Sequence, residues 1–190
     1  MIRRLYDWTI ALATHRHALL ALAVVAFVES SFFPIPPDVL MIPMILAAPR
    51  RAWLIAGVAT ASSVAGGLFG YMIGAVFFDS LAQPILAFYG KEAAFQDFAL
   101  RYNDWGAWAV LIAGVTPFPF KVITIASGMT GLSLPVFVFA SVVARGLRFY
   151  LVAALLRAYG EPIRDFIERR LGLVFALGCA ALLGGFLAIR

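Results

Sequence analysis

The hydrophobic positions of this chain come in long blocks separated by short polar breaks. Residues 1–17 are polar to amphipathic, and Ala18–Val28 is an unbroken apolar run of eleven residues. As a helix that run covers about 16 Å, roughly half of a ~30 Å hydrocarbon core. It meets ESSFFPIPPDVLMIPM (29–44), which places two carboxylates and four prolines inside an apolar region. Pro49-Arg50-Arg51 marks an exit to water, and Trp53–Phe78 is long enough to span a bilayer. Phe88, Phe95, Phe98 and Tyr102 then recur at near-helical spacing among Lys91, Glu92, Asp97, Arg101 and Asp104. That pattern predicts a helix lying in the membrane interface. Trp105–Val115 is a second half-length run, and it meets a second prolyl stretch, TPFPFK (116–121). Leu134–Leu156 spans, GEPIRDFIERR (160–170) starts a new helix with Pro162 in its first turn, and Leu171–Ile189 spans last.

The two prolyl stretches match each other. PIPPDVLMI (34–42) lies over PFPFKVITI (117–125) at an offset of 83, with four of nine residues identical. Each follows a half-length apolar run and precedes a long one, the mark of an internal repeat built on broken hydrophobic segments. If each half-helix dips in, turns at the prolines and returns, while each long helix crosses, the two repeats are inverted. The expected fold is therefore an all-α integral membrane protein: one membrane domain, residues 1–190. Repeat 1 covers about 18–79, an interfacial helix about 84–104, repeat 2 about 105–158 and an extra C-terminal transmembrane helix about 161–190. Each repeat is a re-entrant hairpin plus a long transmembrane helix. Irregular backbone at membrane depth is tolerated only where it is buried in protein or lines a wet cavity. Pro34, Pro36, Pro37, Pro117 and Pro119 carry no N–H to leave unpaired there, and Gly128, with Gly131, is expected to form the second hairpin's return turn.

Composition agrees. Of 190 residues, 63% are hydrophobic and 13% charged, against about 25% charged in an average soluble domain. Mean hydropathy is +0.95. The net charge of +5 does not point to nucleic acid, because the basic residues are scattered between apolar spans. In the expected topology one side carries Arg3, Arg4, Arg16, Arg50, Arg51, Arg157, Arg164, Arg169 and Arg170, and the other only Lys91, Arg101 and Arg190. The positive-inside rule then puts the N-terminus in the cytoplasm, with the chain in the bacterial inner membrane. The N-terminal residues do not read as a signal peptide, since Asp7 and His15-Arg16-His17 interrupt the apolar run. The lone Cys179 excludes an internal disulfide. No metal site, cofactor or nucleotide-binding loop is expected, and no nucleophile–base pair marks an enzyme.

Five ionisable residues fall at expected membrane depth: Glu29, Asp38, Lys121, Arg145 and Arg148. Such residues are costly and read as functional by default. Asp38 and Lys121 hold the same position in the two repeats, so a pseudo-axis could bring them together. Arg145 and Arg148 are three apart and share a helix face. Lys121, Arg145 and Arg148 are read as a binding site for an anionic phosphate headgroup, because arginine pairs bidentately with phosphate. Glu29 and Asp38 are read as proton- or cation-coupling groups, and structural pairing of the charges is the bland alternative. Gly66, Gly70 and Gly74 form a small-residue seam for close helix packing, which also offers a face to a second copy.

Glu29 with FFPIPPD (32–38), TPFPFK (116–121), SGM (127–129) and the arginines of RGLRFY (145–150) resembles the DedA family. This family is also called the VTT or SNARE-associated superfamily, and the likeness, over about residues 20–160, is nearest its short YqaA-like branch. The resemblance implies two inverted re-entrant hairpins. It implies a role in moving lipids such as undecaprenyl phosphate or phosphatidylethanolamine and in envelope homeostasis that depends on the proton-motive force, with eukaryotic relatives that are lipid scramblases. It also implies essential acidic positions at Glu29 and Asp38 and essential arginines at Arg145 and Arg148. Asp38 stands where many members have Glu, and Lys121 belongs to this branch, so the substrate need not be that of better-known members. The expected function is a lipid or lipid-phosphate translocase. The alternatives are a small-ion or proton-coupled exporter and a non-transporting membrane scaffold.

Overall fold

The computed structural model describes residues 17–32, 36–116 and 119–169, the side chains of Leu81, Glu161 and residues 163–169 excepted. Pro34, Pro117, Cys179 and most of the expected C-terminal helix lie outside the described residues. All regular structure among the described residues is helical. Helix α1 is Ala18–Ser31 and α2 is Asp38–Ala47. A 3₁₀ turn, Pro49–Arg51, leads into α3, Ala52–Phe77. A π-helical segment, Phe78–Ala82, and the short α4, Gln83–Phe88, follow. Helix α5 is Glu92–Val115, α6 is Phe120–Met129 and α7 is Leu134–Arg169.

Local chemistry sets these boundaries. Pro36 and Pro37 start α2, where a missing N–H costs nothing, and their carbonyls accept the first helical bonds. Asp38 sits in that first turn, where helix dipole and negative charge agree. Gly90 has φ +61° and closes α4 with the Lys91 N–H on the Leu86 carbonyl, which divides the expected interfacial helix. Gly106, at φ 22° and ψ −95°, kinks α5 at the expected start of the second half-length run. A further kink at Tyr159 separates the spanning part of α7 from its extension. The turn after α6 is made by Gly131, at φ +66°, with the Leu132 N–H on the Ser127 carbonyl. Gly128 lies inside α6 instead of in that turn, so its expected place in the return turn is corrected.

Among the described residues two helices are long and apolar enough to cross a membrane, Pro49–Ser80 and Leu134–Gly160. They run antiparallel in close register: Gly57 lies by Tyr150, Thr60 by Gly146, Ser63 by Arg145 and Gly67 by Phe137. Their outward faces expose Leu54, Met72, Val76, Phe139, Leu147 and Leu151, an apolar surface suited to lipid and costly in water. Helix α1 packs on α3 and α5 on α7. The shorter helices chiefly cross over, α6 packing on α3 and α2 on α7.

The crossing depends on the glycine seam. A Cβ at Gly66 would strike the Phe27 carbonyl, one at Gly74 the Ile125 carbonyl, and one at Gly128 the Tyr71 carbonyl. Gly66, Gly70 and Gly74 are thus buried against α1 and α6 of the same chain. The face expected to be open to a second copy is filled from within, because small residues let these backbones touch. Gly74→Ala should therefore destabilise the protein by about 1–3 kcal/mol through overpacking. Gly146→Ala puts its methyl 3.8 Å from Thr60 Cγ2, an ordinary contact. It should leave stability unchanged or raise it by up to about 1 kcal/mol through helix propensity. Unfolding of the purified variants measures both, and equal effects would refute the seam.

Candidate functional site

Two apolar clusters lie along the spans with a polar layer between them. One cluster joins Leu22, Met41, Ile45, Ile55 and Ala59 to Phe149, Ala153 and Leu156. The other joins Val110, Phe120, Leu132, Phe137 and Ala140. Between them, near the middle of both spans, α3 contributes Ser63 and α7 contributes Arg145. The end of α1 contributes Glu29 and Ser30.

Arg145 has a side chain 1% exposed, and its partners come from two other helices. Its Nη2 donates to Glu29 Oε2 at 2.8 Å, and its Nε donates to Ser63 Oγ at 2.6 Å. Ser30 Oγ donates to Glu29 Oε2 at 3.0 Å and lies 2.6 Å from Ser63 Oγ. The guanidinium carbon is 4.9 Å from the Phe120 ring centre and 4.7 Å from that of Phe149. Charge, donors and faces are thus largely met by protein, as a buried arginine requires. Arg145 Nη1 and Ser141 Oγ are buried without a hydrogen-bond partner among the described residues.

Arg148 forms a second pair of another character. Its Nη2 donates to Asp38 Oδ2 at 2.8 Å, and the two side chains are 22% and 21% exposed. Its Nη1 donates to the Thr116 carbonyl at 3.4 Å. Asp38 opens α2 just after the first helix break, and Thr116 closes α5 just before the second. Arg148 therefore ties both breaks to α7. The broken end of α1 is held in the same way, by Thr124 Oγ1 donating to the Ser30 carbonyl at 3.1 Å and Ser31 Oγ to the Gly66 carbonyl at 3.0 Å. The Ser30 and Thr116 carbonyls are helix-end acceptors without a helical partner, whereas the Gly66 carbonyl lies inside α3 and accepts an additional bond.

The profile of the VTT domain matches residues 35–158. The chain belongs to the VTT domain family. An uncharacterized protein of Haemophilus influenzae is 35% identical over 170 residues, covering 90% of this chain and 88% of its own. An uncharacterized protein of Histophilus somni is 37% identical over 168 residues, covering 86% and 87%. No solved structure matches. Membership of the VTT domain family, with the two apolar spans, places the protein in a membrane.

The matched stretch contains Asp38, Lys121, Arg145 and Arg148, while Glu29 lies just before it. The structure brings Glu29 to Arg145 and Asp38 to Arg148. It does not bring Asp38 to Lys121: the repeat-equivalent residues are not paired, because α7 lies against α2 and its Arg148 takes the carboxylate. Lys121 sits half-buried in the first turn of α6 beside Phe120 and enters no ion pair among the described residues. Pro36, Pro37 and Pro119 flank the breaks. Sequence reasoning missed Ser30, Ser63 and Thr124, although polar side chains in a stretch this apolar are themselves a signal.

The two pairs should differ in what they hold. Arg145→Gln leaves a largely buried carboxylate unpaired and should cost roughly 3–5 kcal/mol of stability. Arg148→Gln, whose pair reaches solvent, should cost about 1–2 kcal/mol. Unfolding of both purified variants decides this, and equal losses would contradict the division into an inner and an outer pair.

Proposed function

We propose that the protein is a membrane translocase for a lipid or lipid phosphate, working through a polar cleft between two re-entrant hairpins of an inverted repeat. The observation that carries this reading is Arg148, bonded at once to Asp38 beside one helix break and to Thr116 beside the other. Two broken helices whose ends meet at one partly exposed arginine near mid-span are what a midplane headgroup site needs. Helix α1, at about 21 Å too short to cross a ~30 Å core alone, and the crossed packing of α2 and α6 support the hairpin and repeat readings. The arginine-rich side of the chain supports a cytoplasmic N-terminus in a bacterial inner membrane.

The chemistry is a competition for guanidinium. An Asp38 carboxylate and a phosphate oxygen are alternative acceptors for the Arg148 N–H groups, and both bind them in charge-assisted geometry. Protonating Asp38 releases Arg148 to an incoming phosphate, and deprotonation expels it. Lys121, without an ion pair among the described residues, adds a second positive charge at the start of α6, where the helix dipole also favours an anion. The Nη1 of Arg145, without a hydrogen-bond partner among the described residues, leaves one more donor in the layer. The headgroup crosses in the cleft while its tail stays in the bilayer, and rocking of the two repeats alternates the access. An exporter of small cations would have no use for three cations in this layer, which favours the lipid phosphate.

Proteoliposome flipping of fluorescent phospholipids and of polyprenyl phosphate tests the proposal. Wild type should move at least one of them. Arg148→Ala should slow it about 10- to 100-fold, the worth of a charged hydrogen bond of ~1.5–3 kcal/mol. Asp38→Asn should keep downhill flipping but lose its response to a pH gradient. Wild-type vesicles that flip no faster than protein-free ones, with and without the gradient, would overturn the reading.

A further inference from the structure

We propose a second lipid site, built for the phosphate of an anionic phospholipid headgroup by Arg157, Trp53 and Tyr150, with Arg50 and Arg51 beside them. It rests on the protein's place in a membrane and not on translocation. Trp53, Arg157, Arg50 and Arg51 lie at one end of both spans, on the arginine-rich side, and Tyr150 joins them from two residues beyond Arg148 on α7. The Trp53 and Tyr150 rings stack with centroids 5.9 Å apart and planes 19° apart. The Arg157 guanidinium carbon sits 5.5 Å from the Trp53 ring centre. Tyr150 and Arg157 are seven residues apart and share a face of α7, so the Trp53 ring lies along that face between them.

This arrangement orders donors toward the outside. Stacking occupies the flat face of the guanidinium and leaves its N–H edge open, the edge that suits phosphate. Tyr150 Oη has no hydrogen-bond partner among the described residues, and Gly57 makes room for it: a Cβ there would lie 3.2 Å from that oxygen. The 3₁₀ turn Pro49–Arg51 packs against α7, bringing two more exposed arginines to the same end. None of the three arginines forms an ion pair with a described carboxylate side chain. Neighbouring turns of α3 and α7 expose Leu54, Leu151 and Leu155. A headgroup at Arg157 would therefore have an apolar wall for its acyl chain, which selects a lipid over free phosphate. Tryptophan at a span end and arginines just beyond it are suited to the anionic membrane surface.

The test is native mass spectrometry of the purified protein in detergent, doped with equal phosphatidylglycerol and phosphatidylcholine. Wild type should retain phosphatidylglycerol preferentially. Arg157→Gln should lower that preference about fivefold, the value of one arginine at a charged surface. Trp53→Leu, which removes the platform but no charge, should lower it too. Arg101→Gln, which removes an exposed charge from α5 and touches neither site, should leave it unchanged, and a failed translocation assay would not touch this result. Inorganic phosphate at millimolar concentration should not displace the lipid. Equal retention of both lipids by wild type, a preference unchanged in Arg157→Gln, a preference lowered as much in Arg101→Gln as in Arg157→Gln, or displacement by phosphate would each overturn the proposal. Because these side chains are exposed, the variants should keep the wild-type melting temperature, which confirms that folding is not what is being read.

Discussion

A guanidinium near the middle of a membrane span must be neutralised and hydrogen-bonded, and the structure is arranged around that requirement. A charged side chain there costs about 2.5–3.5 kcal/mol even on the mild insertion scale. Arg145 meets the cost with a carboxylate from α1, a hydroxyl from α3, and the rings of Phe120 from α6 and Phe149 from its own helix. Four elements thus converge on one side chain, and their positions cannot be chosen independently. Helix α1 must end near mid-span so that Glu29 arrives there, and α6 must begin near mid-span so that Phe120 does.

The breaks create a second demand. Helix ends within an apolar layer expose carbonyls that neither water nor lipid can satisfy cheaply. Here polar side chains from elsewhere in the chain supply the missing donors, Thr124 to the Ser30 carbonyl and Arg148 to the Thr116 carbonyl. Such short bonds require backbones in close approach, and the buried glycines of α3 and α6 provide it. Charge, helix breaks and glycine seam are therefore one design. Removing the seam would separate the donors from the carbonyls they serve, and removing the charges would leave the breaks without purpose. The inner pair, closed off from solvent, suits a scaffold. The outer pair is one-fifth exposed on both partners, which is what the proposed exchange of acceptors requires.

Hydropathy showed the two spans and both half-length runs because apolar length is a local property of the chain. The positions of the breaks were equally legible, since Pro36, Pro37 and Pro119 act through their own φ and missing N–H. The five ionisable residues stood out against an apolar background, and four of them do meet as two pairs. The partners were not legible. Repeat symmetry aligned Asp38 with Lys121, but the pairing follows helix packing, in which α2 lies on α7, and no local pattern encodes that choice. Gly128 had turn chemistry in its favour and serves close packing instead, because Gly131 three residues later already takes the left-handed conformation. Ser63 escaped notice because a serine in an apolar helix ordinarily bonds to its own backbone. Its role appears only when Arg145 is brought beside it.

The most direct test of this account is a double-mutant cycle for stability between Glu29→Gln and Arg145→Gln, run beside Asp38→Asn with Arg145→Gln. The first combination should show a coupling energy of about 1–3 kcal/mol, because the two side chains share one buried bond. The second should show a clearly smaller coupling, because Asp38 acts on Arg145 through space and shares no hydrogen bond with it. Additivity in the first cycle, or coupling of Arg145 to Asp38 in its place, would contradict the claim that Arg145 is held by Glu29 and that the fold is built around that contact.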